Sequence, residues 1–511
     1  NSGSRRKGSG RVSDMLVHIV GLDRTYENTV VNLLRLYFDD ADVTYEGDKD
    51  ADMTLAFTVR ESHRGSQNVD VKVIGREQEI GARAERNVPT RSLDERRKQM
   101  KRTVSQALLK ALGSLTGIRQ PWGILTGVRP TKLWHQAVQR GFDDADIRRH
   151  IAAETMVAPE KLDLMQTIVK RQRETIPDLY ELKQAVSIYV GIPFCPTKCA
   201  YCTFPAYSIR GQQGSVDSFL CGLHYEMREI GNWLKERGIA ITTVYFGGGT
   251  PTSITAEEMD RLYAEMYRAF PHMDRVREVT VEAGRPDTIT REKLNVLKRW
   301  NIDRISINPQ SYIQKTLDAI GRHHTVEETV EKFHLARDMG MRNINMDLII
   351  GLPGENVEHF EHTLRETEKL MPESLTVHTL SFKRASEMTR NKWKYQVADR
   401  EEVVDMMNRA REWTAEKGYT PYYLYRQKNI LGNLENIGYA FPGKESLYNI
   451  IIMEEQQTII GLGCGASSKL VHPETGKISR YANPKSPRVY NENFQKYTAD
   501  KLALLEQLFA V

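Results

Sequence analysis

The sequence predicts an α/β protein whose centre is a partial (β/α)6 barrel, with an N-terminal α+β domain before it and a mainly helical C-terminal domain after it. The main observation is a regular alternation that begins at Val186, where short apolar runs of strand type are followed by amphipathic helix patterns. The six runs are "VSIYVGI", "TTVYFGGG", "EVTVEA", "DRISINPQ", "NINMDLIIGLPG" and "SLTVHTLSF". Repeated strand and helix units form parallel sheets, and several of them over about 200 residues favour a barrel-like layer.

Two further patterns set the domain limits. Before the barrel, strand-like runs such as "DMTLAFTV" and "VDVKVIG" mix with the helical patterns "TYENTVVNLLRLYF" and "SLDERRKQMKRTVSQALLKALGSL", which indicates a small α+β domain. After residue 395 the patterns become helical again and end in the strand-like run "QTIIGLGCGASS". We therefore predict an added tag or disordered tail over 1–14, the α+β domain over 15–118, a helical connector over 119–185, the barrel over 186–395 and the C-terminal domain over 396–511.

The composition is that of a soluble globular chain. Of 511 residues, 40% are hydrophobic and 27% are charged, which is the range of ordinary folded proteins. No apolar run approaches the ~18 residues needed to span a bilayer, so we expect no membrane span. Removing the four basic residues and the one acidic residue of 1–14 lowers the formal net charge from +5 to about +2, which gives little support for a nucleic-acid partner.

Three of the five cysteines, Cys195, Cys199 and Cys202, lie together in "YVGIPFCPTKCAYCTFP", directly after the first barrel run. An odd total with two isolated members does not form a disulfide framework, so a reducing cytosol is the expected compartment. A structural zinc site needs four ligands, commonly from two C-x2-C pairs, and the sequence has no second pair. A cubane iron-sulfur cluster normally has four cysteine ligands, so three would leave one iron open. Incidental thiols or a partial zinc site are the alternatives.

This C-x3-C-x2-C loop after the first strand of a β/α barrel resembles the radical S-adenosylmethionine (SAM) superfamily. Over roughly residues 186–470 the chain resembles the oxygen-independent coproporphyrinogen III oxidase group, and in particular its HemZ branch, which has an extra N-terminal domain. The resemblance implies a [4Fe-4S] cluster on Cys195, Cys199 and Cys202, with one or two molecules of S-adenosylmethionine. It also implies that the open iron binds S-adenosylmethionine, which is cleaved to a 5′-deoxyadenosyl radical.

The same resemblance assigns residues at successive strand ends to the cofactor. Gly247, Gly248 and Gly249 in "YFGGGTP" have no side chains, so their backbone can approach the methionine part of the cofactor closely. Tyr201 lies where the group has an aromatic residue facing the adenine. The implied catalytic residues are Tyr189 and Glu282. The implied cofactor-binding residues include both of these and are Tyr189, Tyr201, Gly248, Gly249, Thr250, Glu282, Gln310, Arg322 and Asp347.

The reaction that the resemblance implies is oxidative decarboxylation of coproporphyrinogen III propionates to vinyl groups, giving protoporphyrinogen IX. It also implies an electron donor such as flavodoxin or ferredoxin and a cytoplasmic location. Because a guanidinium fork matches a carboxylate, basic residues near the barrel mouth are candidate ligands of the substrate propionates. These candidates are Arg285, Lys383, Arg384 and Arg426.

One departure from the group leaves other functions open. The characterised oxidases carry a further cysteine two residues after the triad, where this chain has Thr203 and Phe204. Heme chaperones of the HemW type also lack that cysteine, and their "FxxPGxES" segment resembles "AFPGKES" here, from Ala440 to Ser446. A heme chaperone is therefore the alternative, and HemN-like radical methyltransferases and heme-cleaving enzymes are a third class.

Four more residues are predicted to have no direct role in the chemistry. His323 and His324 are adjacent, which favours a surface loop. Cys221 in "DSFLCGLHYEM" lies on a helix pattern and is predicted to be a core thiol. Cys464 in "GLGCGASS" lies in a turn that the family places near the cofactors, and we interpret it as a small residue in a tight glycine turn.

Overall fold

The computed structural model describes residues 15–38, 40–47, 50–89, 92–197, 200, 202, 207–209, 215–381, 400–427 and 430–510. Six residues singled out in the sequence lie outside these ranges: Cys199, Tyr201, Thr203, Phe204, Lys383 and Arg384. Close contacts divide the chain into two compact units, the first within Asn1–Pro130 and Gln136–Gln166 and the second within Thr131–His135 and Thr167–Val511. The finer division into five parts stays a prediction.

The first unit contains a five-stranded sheet with the order β2-β1-β3-β4-β5. Its strands are β1 (Met15–Val20), β2 (Ala41–Thr44), β3 (Met53–Glu61), β4 (Ser66–Ile74) and β5 (Glu79–Asn87). Strand β1 is parallel to both of its neighbours, whereas β3, β4 and β5 pair antiparallel. Val69, Val71 and Val73 point from one face of β4 into a core shared with helices α1 (Glu27–Tyr37) and α2 (Leu93–Thr116). This arrangement confirms the predicted α+β fold.

Along the chain, three helices come between the strands of this sheet and those of the barrel: α3 (Thr131–Gln139), α4 (Asp144–Thr155) and α5 (Pro159–Thr175). The Asp143 side chain begins α4 by accepting a hydrogen bond from the backbone N–H of Asp146, which the first helical turn cannot satisfy. None of the helices in the described part of the chain combines the length and the apolar character that crossing a bilayer requires.

The second unit is built on an eleven-stranded sheet whose centre is the predicted barrel. Its six parallel strands coincide with the six predicted runs: β6 (Val186–Ile192), β9 (Ile241–Gly248), β10 (Glu278–Glu282), β11 (Arg304–Ser306), β12 (Ile344–Ile350) and β13 (Ser374–Thr379). Strands β6, β9 and β12 are buried at nearly every position, as is typical of parallel strands covered on both faces. Two short strands, β7 (Phe194–Cys195) and β8 (Tyr207–Ser208), pair with each other after β6.

The helices between these strands begin at capping residues. They are α6 (Val216–Arg237), α7 (Ala256–Ala269), α8 (Arg291–Arg299), α9 (Gln314–Ala319), α10 (Val326–Asp338) and α11 (Val357–Leu370). The side chains of Ser215, Thr255 and Thr290 each accept a hydrogen bond from the backbone N–H three residues later. These caps fix where α6, α7 and α8 begin, and so they limit the length of the loops that precede these helices.

Helix α6 contains one residue whose predicted environment is wrong. Cys221 is exposed, although it was predicted to be a core thiol. Its neighbours Leu220 and Gly222 are buried, because they lie on the inner side of the helix. The helical pattern was correct, but the position of the cysteine around the helix axis was not.

The strands of the C-terminal region continue the barrel sheet at both edges. Its helices are α12 (Arg400–Glu416), α13 (Leu447–Met453) and α14 (Pro487–Leu508), and its strands are β14 (Thr420–Tyr425), β15 (Asn436–Ala440), β16 (Thr458–Gly463), β17 (Ser467–Val471) and β18 (Ile478–Ala482). Strand β15 is antiparallel to β13, and β16 is parallel to β6. The run "TIIGLG" therefore lies beside the strand that leads into the cysteine loop.

Candidate active site

The first cysteine of the triad lies at the carboxyl end of the barrel. Cys195 ends β7 and is buried, and its Sγ is 3.1 Å from Oγ1 of Thr250. Cys202 is half-buried, and Cys199 lies outside the described residues. Because Thr250 follows β9, the loops after the first two barrel strands meet at Cys195.

The glycine turn after β9 is held against the cysteine loop by the backbone. The N–H of Gly249 donates to the carbonyl of Ile192 at 2.8 Å, and the N–H of Thr250 donates to the carbonyl of Phe194 at 2.8 Å. A Cβ on Gly249 would lie 2.7 Å from the Phe194 carbonyl oxygen and 3.1 Å from Cys195 Sγ. The turn therefore excludes a side chain at this point and leaves its backbone next to the sulfur.

Arg285 holds the cysteine loop from the β10 side. Its side chain is buried, and its Nη1 donates to both the carbonyl oxygen and the Oγ1 of Thr197 at 3.0 Å. Its Nε and Nη2 each donate to the Asp287 carboxylate at 3.1 Å. The guanidinium that was predicted to bind a substrate propionate thus already binds a carboxylate and the loop that carries the cysteines.

Arg426, another predicted propionate ligand, is also engaged within the protein. Its Nε donates to the carbonyl of Leu434 at 3.3 Å, and its Nη2 donates to the Asn433 side chain. Burial lowers the pKa of Arg426 to about 10. The other two candidates, Lys383 and Arg384, lie outside the described residues.

Three tyrosine rings stack inside the barrel. The ring centroids of Tyr245 and Tyr448 are 4.4 Å apart with an interplanar angle of 20°, and Tyr189 stacks on Tyr245 with its centroid at 6.1 Å. A Cβ on Gly247 would lie 3.0 Å from the Tyr189 ring, so the missing side chain makes room for it. Tyr189 belongs to the predicted set, whereas Tyr245 and Tyr448 were not predicted.

Glu282 ends β10 and accepts a hydrogen bond from the Tyr245 hydroxyl. Burial raises the pKa of Glu282 to about 7, and the charge of Asp347 acts in the same direction, while the hydrogen bond from Tyr245 opposes them. A carboxyl group with this pKa exchanges its proton near neutral pH, which suits acid-base chemistry.

Asp347 lies on β12 and stays ionised in spite of its position. Burial raises its pKa, but the hydrogen bond and charge of His378 and the Asn345 amide lower it to a net value below the ordinary one. The His378 Nε2 is 3.3 Å from Asp347 Oδ2, and Asn345 Nδ2 donates to Asp347 Oδ1 at 2.8 Å. The Tyr425 hydroxyl lies 3.0 Å from His378 Nδ1, so two aromatic residues that were not predicted orient this carboxylate.

Gln310 follows β11 in a left-handed backbone conformation, with a φ of 65°. Its N–H donates to the carbonyl of Asp347 at 3.0 Å, and its carbonyl accepts from the N–H of Ile349 at 3.1 Å. These two hydrogen bonds fix the glutamine against β12 and beside Asp347. A strained backbone held in this way is common at functional sites.

The end of β11 carries three buried acceptor atoms that have no hydrogen-bond partner among the described residues. They are Oγ of Ser306, Oδ1 of Asn308 and Oε1 of Gln310. The three atoms belong to Ser306, the last residue of β11, and to the segment that directly follows it. A buried acceptor without a donor costs free energy, so this row fits a ligand that brings donors.

Arg322 connects the loops that follow β10 and β11. Its buried guanidinium donates from Nη2 to the carbonyls of Gly284 at 2.6 Å and Asn308 at 2.5 Å. His324 is also buried, so its predicted place in a surface loop is wrong, whereas His323 is exposed. Burial and then the charges of Arg322 and Arg285 lower the pKa of His324 to about 3, which keeps it neutral.

Cys464 matches its interpretation as a small residue in a glycine turn. It lies between Gly463 and Gly465, which have φ values of 86° and 70°. Its Sγ is 3.0 Å from the carbonyl oxygen of Lys485, and burial raises its pKa to about 12. The thiol is therefore protonated and hydrogen bonded to the backbone.

The family model of the Radical SAM superfamily matches residues 189–367, which contain the cysteine loop, most of β6 and the four barrel strands β9 to β12. The oxygen-independent coproporphyrinogen-III oxidase-like protein HemZ of Bacillus subtilis is 58% identical over 499 residues, covering 97% of this chain and 99% of that protein. The chain belongs to the coproporphyrinogen oxidase-like group of the radical SAM superfamily. This finding confirms the resemblance on which the site residues were predicted.

Two other similarities concern parts of the chain. The heme chaperone HemW of Bacillus subtilis is 36% identical over 194 residues, covering 38% of this chain and 50% of that protein. The coproporphyrinogen III oxidase HemN of Escherichia coli has the same fold, with a TM-score of 0.51 at 21% identity over 64% of this chain and 72% of that one. The fold is therefore shared across the group.

Radical SAM proteins use a [4Fe-4S] cluster and S-adenosylmethionine, and this site fits both groups. The open backbone of Gly249 lies next to Cys195 and that of Gly248 lies against Ile192, and at both positions the Cβ of a larger residue would collide. The buried acceptors of β11, including Gln310 Oε1, match the ammonium, hydroxyl and amino donors of S-adenosylmethionine.

The residues that sequence reasoning missed come from two sources. Tyr245 lies two residues before Gly247 on β9. Because alternate residues of a strand share a face, this spacing alone would have placed the Tyr245 side chain on the same face of β9 as Gly247. Tyr448 and Tyr425 belong to the C-terminal region, and no local pattern indicates that they reach the barrel interior.

Proposed function

We propose that this protein catalyses oxygen-independent oxidative decarboxylation of coproporphyrinogen III propionates to vinyl groups, forming protoporphyrinogen IX. The observation that carries the proposal is the contact of the cysteine loop with the glycine turn, made by Cys195 and Thr250, together with an ionisable Glu282 at the carboxyl end of the next strand. The full-length similarity to HemZ supports the same group of reactions. The proposal includes a cytoplasmic location and a donor such as flavodoxin or ferredoxin.

Cys195, Cys199 and Cys202 are the proposed ligands of the cluster. When bound, the cluster and S-adenosylmethionine supply the 5′-deoxyadenosyl radical that abstracts hydrogen. Arg285 contributes by holding Thr197, two residues after Cys195, and Thr250 contacts the Cys195 sulfur. These contacts limit the movement of the loop before the cluster is assembled.

The proposed ligands of S-adenosylmethionine divide by the contacts that they can offer. Gly248, Gly249 and Thr250 offer backbone next to the cluster, and Gln310 offers a buried acceptor that no described residue satisfies. Asp347 offers an ionised carboxylate for a cationic group. The remaining proposed ligands are Tyr189, Tyr201, Glu282 and Arg322.

Glu282 and Tyr189 are the proposed catalytic residues. Glu282 holds or releases a proton near neutral pH, and the Tyr245 hydroxyl keeps its carboxyl group oriented. Tyr189 supplies an aromatic surface between the glycine turn and the other two tyrosines. The network limits solvent at the carboxyl end of the barrel.

Removal of the cysteine ligands tests the cluster assignment. The reconstituted chain should hold about four irons, and the triple variant of Cys195, Cys199 and Cys202 to Ala should hold none. Replacing Cys221, which is exposed on α6, is the matched control and should leave the iron content unchanged. A triple variant that still bound a full cluster would refute the assignment.

A heme chaperone is the second candidate, because several curated relatives are HemW proteins. The segment that carried this resemblance contacts the amino end of β10, since the Ser446 hydroxyl donates to Glu278 Oε1 at 3.5 Å. Glu282, in contrast, lies at the other end of the same strand. Heme titration distinguishes the two candidates, because the chaperone would bind heme stably and form no vinyl product.

A further inference from the structure

A cavity of about 450 Å³ lies at the amino ends of the barrel strands, away from the cysteine loop. Glu278 and Arg304, the first residues of β10 and β11, line it together with Asn343, which directly precedes β12. Glu282 is four residues further along β10, which is about 13 Å at the usual rise of a strand. The cavity has the size of small-molecule sites, and it is not the proposed cofactor site.

One wall of the cavity presents a buried guanidinium. Arg304 is only 3% exposed, and its Nη2 donates to the Ser374 hydroxyl at 2.7 Å. Its Nε has no hydrogen-bond partner among the described residues. A buried cation that is hydrogen bonded to a neutral hydroxyl is stabilised further by a carboxylate, which matches the guanidinium geometry.

Acceptor oxygen atoms, two of them on acidic side chains, line other parts of the same cavity. The buried Oδ1 of Asn343 has no hydrogen-bond partner in the described part of the chain. Glu445 is 6% exposed, and its Oε1 is 3.8 Å from Arg171 Nε, which is too long for a hydrogen bond. Asp303 accepts the Val279 N–H with Oδ2 at 2.7 Å. These oxygens together suit an ammonium group.

The remaining acid near Arg304 is already used by the protein. Glu278 accepts the backbone N–H groups of Leu447 and Tyr448, at 3.0 Å and 3.3 Å, with different carboxylate oxygens. It therefore anchors the start of α13 and has less capacity for a ligand. Two further arginines line the cavity: Arg277 is hydrogen bonded to Asp178, and Arg171 forms a long ion pair with Glu445. Among the described residues, the cavity therefore has a free donor on Arg304 and acceptors at Asn343, Asp303 and the outer side of that ion pair.

We propose that this cavity binds a small zwitterion, with its carboxylate on Arg304 and its ammonium group between Asn343, Asp303 and Glu445. A simple anion would leave the buried Oδ1 of Asn343 without a donor, and a simple amine would leave Nε of Arg304 without an acceptor among the described residues. Both situations bury polar groups without partners, which costs free energy. The mixed charge of the wall therefore favours a molecule that carries both groups.

Calorimetric titration of the full-length, cluster-reconstituted protein tests the proposal. The probes are the zwitterions glycine, γ-aminobutyrate and ε-aminocaproate, which separate the two charges by different lengths, with butyrate and butylamine as single-charge controls. At least one zwitterion should bind about tenfold or more tightly than both controls. If no zwitterion does so, the proposal is wrong.

Two variants locate the binding. Arg304→Gln and Asn343→Leu should each weaken binding of the best zwitterion about tenfold or more, because the first removes the cation that faces the carboxylate and the second removes an acceptor of the ammonium group. Arg342→Gln, an exposed change beside Asn343, is the control and should not alter binding. If Arg304→Gln does not fold, the Asn343 variant decides, and unchanged affinity in that variant overturns the proposal.

Discussion

The Tyr245 hydroxyl donates a hydrogen bond to the Glu282 carboxylate at the carboxyl end of the barrel. Burial gives this carboxyl group a folded-state pKa of about 7, against an ordinary value of 4.5. Between pH 4.5 and about 7, Glu282 therefore keeps a proton in the folded protein that it has lost in the unfolded chain. The stabilisation is complete below the unfolded pKa and disappears as the pH rises through the folded pKa.

Replacing Glu282 with Gln should reduce the pH dependence of stability. Between about pH 5 and pH 6.5, the fall in unfolding free energy with rising pH should become shallower by about 1 kcal/mol per pH unit. Urea titrations at several pH values measure this slope. Glu257→Gln, at an exposed position of α7, is the control. An unchanged slope in the Glu282 variant would show that this carboxyl group does not hold the extra proton.

Gly249→Ala should prevent assembly of the cluster. The new Cβ would lie 2.7 Å from the Phe194 carbonyl oxygen and 3.1 Å from Cys195 Sγ, so the cysteine loop would have to move. Iron and sulfide analysis after reconstitution should give well below the ~4 irons of one cubane cluster. Gly127→Ala, where a Cβ would meet nothing within 4 Å, is the matched control. Full iron content in the Gly249 variant would contradict the proposed position of the cluster.

Arg285→Gln should impair assembly of the cluster more than it impairs binding of the substrate. The variant loses the hydrogen bonds from Nη1 to Thr197, and it leaves Asp287 without its guanidinium partner. We expect a stability loss on the order of 1–3 kcal/mol and slower cluster reconstitution. Arg291→Gln, an exposed change on α8, controls for the loss of one positive charge. If the variant keeps normal cluster assembly but fails to bind substrate, Arg285 is a substrate ligand after all.

Gln310 and Arg322 should differ in what their loss affects. Gln310→Leu removes an acceptor that has no partner among the described residues, so it should weaken S-adenosylmethionine binding about tenfold and leave stability nearly unchanged. Arg322→Gln removes the guanidinium that joins Gly284 to Asn308, so it should also lower the unfolding temperature. Equilibrium dialysis and thermal unfolding provide the two readouts. Unaltered cofactor affinity in the Gln310 variant would remove it from the site.

Local patterns predicted the barrel strands well because each has a short apolar run with its own turn or helix signal. The run from Val186 to Ile192 is one example, and the strand coincides with it. The pairing of Ile459 and Gly461 of β16 with β6 was not predictable, since it joins segments about 270 residues apart. Strand type is thus a local property, whereas the neighbours of a strand depend on the whole chain.

The candidate site was predictable where a motif fixes the chemistry. The glycine turn and Cys195 could be named from spacing and resemblance, and the structure brings them into contact. The interior Tyr448 and the burial of His324 depend on packing between distant segments, so no sequence spacing reveals them. Arg285 was correctly expected near the site, but its contacts with Asp287 and Thr197 can be seen only in three dimensions.

Anaerobic turnover of coproporphyrinogen III by the cluster-reconstituted protein tests the central proposal most directly. The reaction contains S-adenosylmethionine and a low-potential electron donor, and the products are analysed for vinyl groups and 5′-deoxyadenosine. Our account predicts protoporphyrinogen IX, with 5′-deoxyadenosine formed in proportion to the new vinyl groups. Stable heme binding without any decarboxylation by a fully reconstituted cluster would contradict it and would identify a heme chaperone instead.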